Sequence, residues 1–127
     1  MAIKREANFG RVFRHWLNEN RMPSAAFELK QTTSNRLPFS SVKEHQIDAL
    51  LAVKKASLLY KIPDDSRGVK PFDMVYLHMA QAFVVIRYPD AFYVIDVEKF
   101  IEEMEWSQEK SLTSERASII SSYEIRL

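Results

Sequence analysis

The run Phe27-Glu28-Leu29-Lys30 alternates apolar and charged residues, and this constrains the fold more than any other stretch of the chain. Side chains alternate across a strand, so Phe27 and Leu29 face a core while Glu28 and Lys30 share the opposite face. The segment before it has a different period. Ile3, Ala7, Gly10, Phe13 and Leu17 recur at three- and four-residue steps with Trp16 beside them, which predicts a helix from Ile3 to Asn20. Arg21-Met22-Pro23-Ser24 ends it, and the strand runs from Ala25 to Lys30.

The rest of the chain alternates the two kinds of element. After the polar loop Gln31–Ser40, Ser41-Val42-Lys43-Glu44 reads as a capping box. It opens a helix whose stripe includes Ile47, Leu50, Leu51, Leu58 and Leu59 and which ends near Ile62-Pro63. Phe72–Leu77 and Gln81–Tyr88 read as strands joined into a hairpin by His78-Met79-Ala80. Pro89-Asp90 turns into a third strand, Phe92–Ile95, and Asp96 caps a helix through about Trp106. The expected order is α-β-α-β-β-β-α, an α/β layer fold with a mixed β-sheet flanked by helices. Residues 1–106 form that domain. Residues 107–127, rich in Ser and Glu, are expected as a partly ordered C-terminal extension with room for an added strand at Ser121–Ile125.

Composition narrows the function classes. The 127 residues suffice for a single hydrophobic core. No cysteine is present, which excludes disulfides and thiolate metal sites and fits a reducing, cytoplasmic setting. No apolar run is long enough for a transmembrane helix, and no membrane partner is expected. The net charge of +1 conceals an asymmetry: residues 1–70 carry 13 Lys/Arg against 7 Asp/Glu, residues 71–127 carry 5 against 10. A basic first half suits phosphate contacts.

A carboxylate and an ammonium side by side on a strand supply two parts of metal-assisted phosphodiester cleavage. Mg²⁺ takes one or two carboxylates, with water and phosphate oxygens completing its shell, and Mn²⁺ substitutes for it. A nearby lysine stabilises charge that develops on the phosphate. His15, His45 and His78 are scattered, without the close pairing that a zinc site requires.

Several segments together resemble the RecU-type Holliday-junction resolvases of the PD-(D/E)XK nuclease superfamily. They are Asn8-Phe9-Gly10, Phe27-Glu28-Leu29-Lys30, Leu37-Pro38-Phe39, His45-Gln46, Ala82–Tyr88 and Phe92–Ile95. The resemblance covers roughly residues 3 to 106 and implies a restriction-endonuclease-like sheet. It makes Glu28 a metal ligand and Lys30 the catalytic lysine, with Gln46 on the helix that contacts the site. Glu6, in the first helix, is a further candidate ligand. The resemblance also implies a homodimer, since two symmetric strands are cut, and branched or duplex DNA as the partner.

The chain departs from the superfamily at one point. An acidic ligand is expected on a strand before Glu-x-Lys, yet no Asp precedes Asp48 and only Arg21–Ser24 separates the first helix from the strand. Pro71-Phe72-Asp73 comes later, and the expectation is that its strand takes the missing place and that Asp73 supplies the carboxylate. Arg11, Arg14, Arg36, Lys43 and Lys70 are candidate DNA contacts, as are Lys54, Lys55 and Arg67; Gln46 serves there too. Such contacts position a duplex without reading its sequence. The function expected is a Mg²⁺-dependent endonuclease selective for branched DNA. The alternatives are a nicking or restriction-like nuclease on the same fold, or a DNA-binding protein that has lost the site.

Overall fold

The computed structural model describes residues 2–127, with the side chains of residues 2–8 outside the described part. Helix α1 (Ala2–Asn20) leads into strand β1 (Ala25–Gln31), the short β2 (Arg36–Pro38) and a 3₁₀ turn over Phe39–Ser41. Helix α2 (Glu44–Lys55), strands β3 (Ser57–Lys61), β4 (Met74–His78), β5 (Gln81–Tyr88) and β6 (Ala91–Asp96), and helix α3 (Val97–Trp106) follow. The chain closes with β7 (Ser111–Thr113), α4 (Ser114–Ile120) and β8 (Tyr123–Arg126).

The central sheet has the order β1-β5-β6-β8. β1 runs parallel to β5, with Glu28 opposite Val84, while β5–β6 and β6–β8 are antiparallel. Helices cover both faces, so β5 and β6 are apolar at nearly every position instead of alternating. On one face Phe9 and Phe13 of α1 pack with Phe83, Val85, Phe92 and Val94, and Trp16 and Leu17 join from the rim. On the other, Leu50 and Val53 of α2 and Phe100 of α3 meet Val84, Ile86, Tyr93 and Ile95. Each fully buried side chain of this size contributes about 1.5–3 kcal/mol. This is a mixed α/β sheet flanked by helices, as the sequence pattern implied.

α2 and α3 are also joined by charge. Lys54 Nζ lies 2.6 Å from Asp96 Oδ2 and 2.9 Å from Glu98 Oε1. Partial burial lowers the Lys54 pKa, but the hydrogen bonds to Asp96 and Glu98 outweigh it and the net displacement is upward. Asp96 is the expected α3 cap as well, accepting from Glu98 N at 2.9 Å.

Besides the short β2 inside the expected polar loop Gln31–Ser40, the elements differ from the expected α-β-α-β-β-β-α in four places. α2 stops at Lys55, and Ser57–Lys61 becomes a strand, because Leu58 and Tyr60 pair with Leu77 and Val75 of β4. β4 therefore forms no hairpin with β5. The N–H groups of Met79 and Ala80 donate to the Ala56 and Val53 carbonyls at 3.0 Å, tying the connection to the end of α2, and Met79 turns the chain with φ at 47°. α2 starts at Glu44 and not at Ser41, which ends the 3₁₀ turn. Finally, residues 107–127 fold against the same core. β7 pairs with β2, Leu112 and Ala117 are buried, and β8 adds the fourth strand of the sheet.

Candidate active site

β1 is an edge strand, and its alternation sorts as the sequence suggested on one face only. Ala26 packs toward the α2 side and Phe27 toward the α1 side, against Phe13 and Phe83. By strand alternation Glu28 and Lys30 lie with Ala26 on the α2 side. Leu29, expected in the core, is 38% exposed, because no strand covers the outer side of β1 among the described residues.

Three of the expected site residues come together here. Lys30 Nζ lies 3.2 Å from Glu28 Oε2, with the two side chains 22% and 26% exposed. Gln46 Nε2 donates to the same oxygen at 3.1 Å. Gln46 occupies the third position of α2, and its Oε1 accepts from the Lys43 backbone N–H at 2.9 Å. One amide therefore caps the helix and orients the carboxylate. The capping residue is thus Gln46, three positions after Lys43; the box expected at Ser41–Glu44 is displaced by two.

Leu37-Pro38-Phe39 acts through packing. Leu37 and Phe39 are buried, and Phe39 lies edge-on to Phe100 with ring centroids 5.7 Å apart. Phe39 N–H donates to the Lys110 carbonyl, and Leu37 pairs with Leu112 of β7. Buried Tyr88 donates its hydroxyl to the Leu112 carbonyl at 2.8 Å. The C-terminal segment therefore holds the turn that launches α2 and places Gln46. No motif in the Ser- and Glu-rich tail announces this; only the apolar Leu112 and Ala117 hint at it.

The remaining candidates are spread over the surface. The side chain of Glu6 lies outside the described residues. Arg11 and Arg14 are exposed on α1, Arg36 on β2 and Lys43 at the start of α2. Lys54 and Lys55 are engaged by Asp96 and Glu98, and Arg67 by Asp65. Lys70 pairs with Asp64 and, at 3.2 Å, with Asp73. Asp73 stands just before β4, 78% exposed, and its carbonyl accepts from Ile62 N–H. The expectation that its strand replaces the missing one beside β1 is corrected: β4 pairs with β3 in a separate two-stranded sheet. Trp16 stacks on Phe13 and meets Tyr123 edge-on, a packing role.

A divalent cation fits this cluster in part. Glu28 uses Oε2 for both of its contacts, and Oε1 makes none among the described residues. No group of three or more His, Asp or Glu side chains is gathered for a metal among the described residues. A cleft of about 470 Å³ opens at the C-terminal end of β1, lined by Phe9, Leu29, Lys30 and Gln31 among the described residues. No described helix is long and apolar enough to cross a membrane. No family model, curated protein or solved structure matches the chain.

Proposed function

We propose that this chain is a Mg²⁺-dependent DNA endonuclease, resembling the RecU-type resolvases of the PD-(D/E)XK class and acting on branched DNA as a homodimer. The observation that carries the reading is the Glu28–Lys30–Gln46 cluster on one face of β1. Gln46, 18 residues beyond Glu28 in the chain, meets the Glu-x-Lys pair there, and alternation on a single strand does not account for that contact.

In this reading Glu28 holds Mg²⁺ (or Mn²⁺), which acidifies water and neutralises phosphate charge when bound. Gln46 fixes the rotamer of Glu28. Lys30 exchanges its contact with Glu28 for the scissile phosphate and stabilises the charge that develops there. Arg11, Arg14, Arg36 and Lys43 supply exposed cations for the backbone of a duplex.

The test incubates the protein with Mg²⁺ or Mn²⁺ and a labelled four-way junction, beside linear duplex and the Lys30→Ala variant. Symmetric cuts in the junction, reduced about 100-fold or more in the variant, are expected. Equal cutting of linear duplex would instead indicate a nicking or restriction-like enzyme. Tight binding without cutting in either metal would refute the nuclease reading. It would favour the second one, a DNA-binding protein, to which the single carboxylate of the cluster also points.

A further inference from the structure

We propose that the outer face of the β3–β4 ribbon binds single-stranded nucleic acid, with bases stacking on Tyr76 and His78 and a backbone phosphate meeting Lys61. The proposal does not rest on the nuclease reading, because this face belongs to a separate sheet from the Glu28 cluster.

β3 and β4 pair antiparallel, so residues opposite one another share a face. Leu58 and Leu77 are opposite and pack against the core, which fixes the inward face; Tyr60 and Val75 belong to it. The outward face is made of Ser57, Leu59 and Lys61 from β3 and Met74, Tyr76 and His78 from β4, and all six are exposed. Leu59 and Tyr76, directly opposite, are each 63% exposed, and Met74 is 53% exposed. A ribbon packed on one side ordinarily turns polar residues outward. Half of the outward positions here hold Leu, Met or Tyr, a surface suited to a flat ligand with an apolar face.

Two observations say what covers it. The rings of Tyr76 and His78 lie parallel, with 5° between their planes and centroids 6.3 Å apart. Exposed rings set this way are a stacking platform for successive bases, because every base has a π-face. The second observation is charge. The face carries no carboxylate. Lys54, Lys55, Arg67 and Lys70 are held by Asp or Glu, whereas Lys61 and His78 make no ion pair among the described residues. A cation beside stacked bases is what a phosphate backbone requires.

Size separates this occupant from a protein. Five strand residues at about 3.3 Å each give a face about 16 Å long and two strands wide. That accommodates roughly two or three nucleotides. It falls far short of the about 800 Å² that each side of a stable protein interface buries.

The experiment measures binding of labelled oligothymidylate and oligouridylate, each about twelve nucleotides long, by fluorescence anisotropy in EDTA, where no metal-dependent cutting occurs. Wild type is expected to bind a single strand and to bind duplex of the same length more weakly, since duplex bases are already stacked. The two oligomers distinguish DNA from RNA as the source of the strand. Tyr76→Thr, which keeps the β propensity, should weaken binding about 10-fold or more, and Tyr76→Phe should stay within about 2-fold of wild type. Lys61→Met should lower the slope of log affinity against log salt by about 0.7. Folding of each variant is checked by circular dichroism. A Tyr76→Thr protein that binds as wild type does, or a wild type that binds neither strand, overturns the proposal. So does a wild-type dimer in light scattering that Tyr76→Thr dissociates while no strand binds, because the face is then a contact between copies. If Tyr76→Thr does not fold, the Lys61→Met slope decides, and an unchanged slope overturns the proposal. With metal absent throughout, failure to cut a junction leaves this result untouched.

Discussion

Gln46 is the residue on which helix geometry and site geometry both depend, and replacing it separates the two. Gln46→Ala removes the acceptor for the Lys43 N–H and the donor to Glu28 Oε2. The lost cap costs about 1 kcal/mol. A hydrogen bond to a charged group is worth about 1.5–3 kcal/mol, but Glu28 is a quarter exposed and keeps Lys30, so about 1 kcal/mol is the appropriate share. The total of about 2 kcal/mol lowers the melting temperature of a chain this size by roughly 7 °C. Gln46→Glu keeps the cap acceptor and sets a second carboxylate against Glu28. At about 4 Å and surface-like screening that repulsion is about 1–4 kcal/mol, and the lower end applies to a pair in contact with water. Without metal, both variants therefore melt lower than wild type at pH 8. Only Gln46→Glu recovers as the pH is lowered, because acid protonates one of the like-charged pair and removes the repulsion. Thermal unfolding by circular dichroism from pH 8 to pH 5 measures this. A Gln46→Ala variant within about 1 °C of wild type, or a Gln46→Glu deficit that does not change with pH, would refute the double role.

Three further outcomes follow from the packing. Tyr88→Phe removes a buried hydroxyl from the Leu112 carbonyl and should cost about 1–2 kcal/mol in urea unfolding; a neutral result would mean that the bond does not tie β5 to β7. Arg116→Met breaks the two-bond pair with Glu103, whose carboxyl the Arg116 hydrogen bond holds below the usual range. That stabilisation is present above the ordinary carboxylate pKa and is lost as pH falls through the lowered one, so variant and wild type should differ at pH 7 and converge in acid. Deleting residues 107–127 removes β7 and β8, uncovers Leu37 and the edge of β6, and should leave an aggregating chain; a soluble, cooperatively melting 1–106 fragment would show that the core closes without them.

The parts of this structure legible in the sequence are those set by local pattern. Alternation placed Glu28 and Lys30 on one face, the apolar runs marked β5 and β6, and the Asp96 cap marked α3, almost to the residue. The helix carrying His45-Gln46 was expected near Glu28, and Gln46 touches it. Long-range competition decided the rest. Leu58 and Leu59 continue a helical stripe as well as they begin a strand, and a short apolar run does not discriminate by period. Pairing of Leu58 with Leu77, far along the chain, settles the matter. Leu112 looks like one leucine in a polar tail until it meets Leu37 and Tyr88 across the fold. The place of Asp73 was unreadable for the same reason, since it hangs on which strand β4 chooses.

The pairing of β1 with β5 has a consequence for how the protein comes to be formed. β5 and β6 are joined by a two-residue turn and can zip locally, whereas β1 must find β5 across the whole of α2 and the β3–β4 hairpin. Closing that longer loop costs roughly 3 kcal/mol more in chain entropy. β1 is therefore the late arrival in folding. Pulsed hydrogen exchange should show β5 and β6 amides protected before those of Ala25–Gln31, and simultaneous protection would contradict this order. A chain in which Glu28 meets Gln46 only when β1 docks completes that side-chain cluster at the end of folding, an order set by its strand pairing alone.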